Sequence, residues 1–96
     1  MYQWNSNTKE QDLVDVDVME KTLHPFNLIV WNDEVNTFDW VIETLVEVCG
    51  HSEEQAEQCA ILVHYKGQCT VKTGAFNELK PQCTQLLEAG LSAEII

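Results

Sequence analysis

The chain has 96 residues, enough for one domain with a modest core, and its 45% hydrophobic and 22% charged residues are those of an ordinary globular protein. Sixteen acidic residues against five basic give a formal net charge of −11; such a surface repels phosphate backbones and attracts cationic partners, which disfavours nucleic acid and anionic membranes as ligands. No apolar run approaches the roughly 18 residues of a membrane span, and Met1-Tyr2-Gln3-Trp4-Asn5 lacks the basic start and apolar stretch of a signal peptide.

Residues 1–24 read as a flexible acidic extension. Val14, Val16 and Val18 alternate with Asp15 and Asp17, the period of an edge strand. Asp is unfavourable in strands and no hairpin partner lies nearby, so disorder with ordering on a partner is the expectation. His24-Pro25 marks the boundary, because proline pushes the residue before it towards extended backbone. A core domain over residues 25–96 follows.

Phe26-Asn27-Leu28-Ile29-Val30-Trp31 is rich in β-branched and aromatic residues and predicts a strand. The polar loop Asn32-Asp33-Glu34-Val35-Asn36 comes next, with Asn36 suited to cap a helix and Asp39 placed near that helix's positive end. Phe38, Val41, Ile42, Leu45, Val46 and Cys49 then follow the i, i+3, i+4 spacing of one apolar face, and Gly50 ends the helix. Ser52 and Gln55 match a capping box, with Glu53 and Glu54 in the first turn. The second helix carries a narrow stripe of small residues, Ala56, Cys59, Ala60 and Val63, and stops at Gly67.

Gln68 to Thr73 predicts a second strand, with Gly74 as a turn. A third helix runs to about Ala89 with Leu79, Cys83, Leu86 and Leu87 inward; Pro81 is tolerable in it only in or near the first turn. Gly90 caps it, and Leu91 to Ile96 forms a last strand. The expected fold is α+β: a small antiparallel sheet covered on one side by three helices. A β-α-α-β-β-α-β order arises only if residues 68–73 meet another extended piece. Cys49, Cys59, Cys69 and Cys83 contain no C-x-x-C pair, so neither metal nor disulfide is expected and the thiols act as small hydrophobes.

The loop's side chains offer acceptor oxygens, and an ammonium group offers only donors. Asn32 and Asp33, with a neutral His64 from the second helix, therefore suit a positively charged amine, beside an apolar hollow lined by Phe38, Val41, Ala60 and Val63. On local pattern alone Asn32-Asp33-Glu34 is an acidic turn, His64 a helix-end residue favoured by the dipole, and Phe38 ordinary packing.

Asn32-Asp33-Glu34, the helix Phe38-Asp39-Trp40-Val41-Ile42-Glu43-Thr44-Leu45 and Val63-His64-Tyr65-Lys66-Gly67 together resemble ClpS. This is the bacterial and plastid adaptor family that recognises N-terminal destabilising residues for a Clp protease. The resemblance spans Phe26 to Ile96 in element order and implies a fold like the C-terminal domain of the ribosomal stalk protein. It implies that Asn32, Asp33 and His64 bind a substrate's α-amino group, and that Glu34, Asn36, Phe38, Val41, Ala60, Val63 and Leu91 line or rim its side-chain pocket. It implies a cytoplasmic, monomeric adaptor without cofactor that delivers N-degron proteins beginning with Phe, Leu, Tyr or Trp. Its partner would be the N-terminal domain of a ClpA- or ClpC-type AAA+ unfoldase, with residues 1–24 as the tethered extension. Many relatives carry methionine where this chain has Phe38 and Ala60, which predicts altered tolerance at the pocket rim. Two readings of other classes stay open. One is a stalk-like protein-interaction domain; the other is a small hydrolase using Asp33 or Glu34 with His64, for which no nucleophile motif or oxyanion loop is present.

Overall fold

The structure, a computed structural model, describes residues 25–96. The expectations for residues 1–24, an acidic extension with strand-like valines, lie outside the described residues. The order is β1 (Phe26–Trp31), α1 (Phe38–Cys49), α2 (Glu53–Lys66), β2 (Gln68–Gly74), α3 (Phe76–Glu88) and β3 (Ser92–Ile95). The three strands form one antiparallel sheet in the order β2-β1-β3. This is the expected α+β fold, with a single strand between α2 and α3 and Gly74 inside it.

Strand alternation explains the inner layer. Leu28 and Val30 of β1, with Cys69 and Val71 of β2, enter one core with the buried faces of the helices. Leu28 pairs with Lys72 but Ile29 pairs with Thr70, so Val71 is an extra residue in β2. The carbonyl of Val71 instead accepts a hydrogen bond from buried His51 Nε2 at 2.8 Å, which ties the α1–α2 connection to the bulge.

Thr37, not Asn36, caps α1: its side chain accepts the Trp40 amide at 3.1 Å. Asn36 is drawn away by longer-range partners described below. Ser52 caps α2 by accepting the Gln55 amide at 3.0 Å. The αL turns at Gly50 (φ 69°) and Gly67 (φ 91°) return their N–H groups to Leu45 and Val63, as left-handed helix ends require. The small stripe of α2 is buried throughout, in Ala56, Cys59, Ala60 and Val63.

Helix α3 differs from expectation at two places. Pro81 stands in its second turn, where it lacks one ladder donor; it and Asn77, whose carbonyl loses that donor, are both exposed to solvent. Leu87 is 52% exposed, because the buried stripe Leu79, Cys83, Leu86 leaves it on the helix flank. The four thiols are free and buried. Burial pushes Cys49 up to about 11 and, together with a hydrogen bond to Cys59, pushes Cys69 up to about 12, so these sulfurs are packing groups rather than nucleophiles.

Two adjacent residues of α1 make opposite expectations. Leu45 is fully buried, and Leu45→Ala should lower stability by about 3 kcal/mol through lost burial and a cavity. Thr44 Oγ1 is buried with no partner among the described residues, so Thr44→Val should raise stability by about 1 kcal/mol. Urea midpoints measured on both variants at neutral pH decide each sign.

Candidate functional site

Three chain segments meet at one end of the sheet, and strand pairing brings them there. Trp31 closes β1 opposite Gln68 of β2 on one side and Ser92 of β3 on the other. The ladder runs one step further, since the Asn32 amide donates to the Gly67 carbonyl at 2.9 Å. Gly67 ends α2, so the last turn of that helix, with Val63 and His64, must lie beside the loop that begins at Asn32. Ser92 opens β3, so Gly90 and Leu91 arrive from the other side.

Between these segments is a hollow, a crevice too narrow to hold a water molecule, lined by Val30, Trp31, Asn32, Asp33, Asn36, Val41, Val63, His64 and Leu91. Val30, Val41, Val63 and Leu91 are buried core residues and form its aliphatic part. Asn32, Asp33, Asn36 and His64 supply the polar groups. Of the residues expected at a pocket, Val41, Val63, Asn36 and Leu91 line it, as do all three expected amine contacts. Ala60 is fully buried and Phe38 half-buried, and neither lines the hollow; Glu34 is exposed and also outside it.

Ala60 and Phe38 act on His64 instead. His64 Nδ1 lies 3.2 Å from the Ala60 carbonyl. A carbonyl only accepts, so Nδ1 carries the proton and the neutral ring keeps Nε2 as an acceptor. The Phe38 ring meets the imidazole edge to face, with centroids 5.3 Å apart and planes at 68°. Both contacts restrict the orientation of the imidazole.

The loop is held by its own acid. Asp33 Oδ1 accepts the amides of Val35 (2.9 Å) and Asn36 (2.8 Å); Oδ2 accepts Asn36 Nδ2 (2.8 Å) and the Ser92 hydroxyl (3.3 Å). Asn36 Nδ2 also donates to the Gly90 carbonyl at 2.8 Å, and Trp40 Nε1 to that of Ala89 at 3.0 Å. Burial alone would raise the Asp33 carboxyl, but these donors outweigh it and hold it below the usual carboxylate range. Its partners are Val35, Asn36 and Ser92, not His64, so no acid–histidine dyad is formed. Among the described residues, no cluster of three His, Cys, Asp or Glu side chains could hold a metal ion.

A family model described as "ATP-dependent Clp protease adaptor protein ClpS" matches residues 21–94. The chain belongs to the ClpS family. Among curated relatives it is 31% identical over 87 residues to the ClpS of Corynebacterium efficiens, covering 90% of this chain and 86% of that one. It is 32% identical over 72 residues to the ClpS of Mycolicibacterium paratuberculosis, covering 75% and 69%. The fold is similar to that of Agrobacterium tumefaciens ClpS2 bound to L-phenylalaninamide, with a TM-score of 0.69 and 18% identity over 75% of this chain and 94% of that one. ClpS is a family of protease adaptors, not of enzymes. No helix among the described residues is long and apolar enough to cross a membrane.

Val30, Trp31, Gly90 and Ser92 belong to the site region and were not anticipated. Their signal is the strand register, which period-2 patterning of isolated segments does not reveal. The lowered folded pKa of Asp33 has a testable consequence. Its contribution to stability is complete above the unfolded carboxyl value of ~3.9 and is lost as pH falls through the lower folded value. Urea midpoints of wild type and Asp33→Asn should therefore differ at pH 7 and converge as the solution is taken below that value.

Proposed function

We propose that the hollow receives the first residue of a protein substrate, amine and side chain together. The observation that carries this reading is the convergence of the Asn32 amide, the Asp33 charge and the His64 Nε2 acceptor beside a patch of Val41, Val63 and Leu91. An α-ammonium offers N–H donors and one positive charge, and the neutral imidazole and amide oxygen can accept from it under the carboxylate's field. The apolar side chain of Phe, Leu, Tyr or Trp then leaves water against the aliphatic wall. Because the hollow is narrow in the free protein, a large first side chain is accommodated by movement of its rim, where Phe38 stands against His64. The ligand of the Agrobacterium homologue, phenylalaninamide, has the same two features, a free amine and an apolar ring.

The chain then acts as a monomeric cytoplasmic adaptor. It carries such N-degron proteins to the N-terminal domain of a ClpA- or ClpC-type unfoldase and performs no chemistry itself. Membership of a Clp protease adaptor family supports this step.

Anisotropy of a labelled peptide beginning with Phe should show saturable binding, abolished by N-acetylation, which removes both charge and donors. A peptide beginning with Gly should bind at least about tenfold more weakly for want of apolar burial. Affinity should fall in His64→Ala, which removes the Nε2 acceptor, and in base, where the amine loses its proton. Equal binding of the Gly, Phe and acetyl-Phe peptides would refute the site, and His64→Ala binding as tightly as wild type would refute the part given to His64.

A further inference from the structure

The polar groups of the loop are not equally available to a ligand. A carboxylate has roughly four acceptor directions, and Asp33 has four donors on them: two on Oδ1 and two on Oδ2. The two hydrogens of Asn36 Nδ2 are likewise both used, on Asp33 Oδ2 and on the Gly90 carbonyl. An amine entering the hollow therefore finds the Asp33 oxygens already engaged, in contrast to His64 Nε2. What these bonds form is a clasp between the β1–α1 loop and the α3–β3 turn. Leu91 lies between its two anchor points on that turn, Gly90 and Ser92.

We infer that Asn36 is a positioning residue, and that Asp33 serves the site chiefly through it. This rests on the amine-receptor reading above and deepens it. By joining Asp33 to Gly90, the Asn36 amide fixes the loop that presents Asn32 and the turn that presents Leu91 in one arrangement. Recognition of the amine and recognition of the side chain are thereby coupled through a residue that binds neither by charge. Ser92 completes the clasp from β3 with a longer bond, so its share is smaller. Gly90 suits this role because its φ of 93° is one that side-chain-bearing residues rarely adopt.

The substitution Asn36→Asp separates positioning from electrostatics, because the two give opposite signs. It adds one negative charge at the edge of the hollow, so a site governed by charge alone would bind an ammonium more tightly. It also removes both Nδ2 donors and sets two carboxylates face to face, so a clasp would open and binding would weaken. In the full chain, titrated with a labelled Phe-starting peptide, Asn36→Asp should weaken binding about tenfold, the scale set by two lost hydrogen bonds. The double variant Asp33→Asn, Asn36→Asp restores the overall charge and one amide–carboxylate bond, in the reverse direction. With a carboxylate against the Gly90 carbonyl it does not rebuild the bond to that turn, so it should bind more tightly than Asn36→Asp but less tightly than wild type, whereas two independent amine contacts would give additive losses.

Thermal unfolding of each variant checks that the domain is intact. If Asn36→Asp does not fold, Asn36→Ala removes the donors without the charge and should weaken binding and reduce Phe-over-Gly discrimination together. Asn36→Asp binding as tightly as wild type or tighter, or a double variant no tighter than Asn36→Asp, overturns the clasp while leaving the receptor reading intact. Failure of the wild type itself to bind the Phe peptide overturns both.

Discussion

The hydrogen bond from the Asn32 amide to the Gly67 carbonyl is the contact on which the site depends. It extends the β1–β2 ladder past the last strand residue, and it joins the start of a loop to the end of a helix. The β1–β2 register, with Trp31 opposite Gln68, brings Asn32 to the end of the helix that carries His64, and this extra rung fixes the junction. Gly67 permits it because the αL backbone that ends α2 also turns the chain directly into β2. The chemistry of the site thus follows from sheet register and one helix terminus. The central position of β1 supplies the rest, since only a middle strand can have a neighbour's junction on each side of its end.

A polar loop of this kind is usually held in place or available to a ligand, and the two demands compete for the same lone pairs. Here they are divided among different residues. Asp33 and Asn36 spend their hydrogen-bonding capacity within the protein, whereas His64 directs one nitrogen inward to Ala60 and leaves the other unengaged. This division reduces the conformational entropy lost when a ligand binds, because the receptor's torsions are already set. It also keeps a full negative charge in the lining of the hollow without requiring that the charge be stripped of its partners. A carboxylate left bare in a partly buried loop would resist ionisation; with four donors its ionised form is favoured instead.

Much of this was legible in the sequence. The elements follow from periodicity and end signals, whereas the grouping of Asn32 and Asp33 with His64 is implied by the family resemblance, since each alone reads as turn or helix end. The burial of the small-residue stripe on α2 followed from its spacing. What escaped was longer in range. Asn36 has the right identity and position for a helix cap, but two partners, one of them 54 residues away, claim its side chain, and Thr37 caps instead. Local capping preference is worth about 1 kcal/mol, and two hydrogen bonds in a cooperative clasp exceed it. Phe38 and Ala60 were read as pocket walls because they face the same helical stripes as Val41 and Val63. A helical stripe is wider than a hollow, and these two reach His64 rather than the cavity. Leu87 shows the same limit from the other side: its spacing fits the apolar face of α3, but Leu86 already fills the buried position.

Phe38 also bears on how the imidazole works. An edge-to-face contact at 5.3 Å restricts the ring by packing, while the Ala60 carbonyl restricts it by hydrogen bonding. The two contacts restrain one side chain by different physical means. The stiff Phe38 ring couples the two side chains: it cannot swing away without loosening the imidazole. If the amine and side chain enter as proposed, pocket width and amine contact are therefore not independent. On the proposed reading, a broad first side chain displaces Phe38 at the expense of the histidine's restraint, and a slender one leaves both in place.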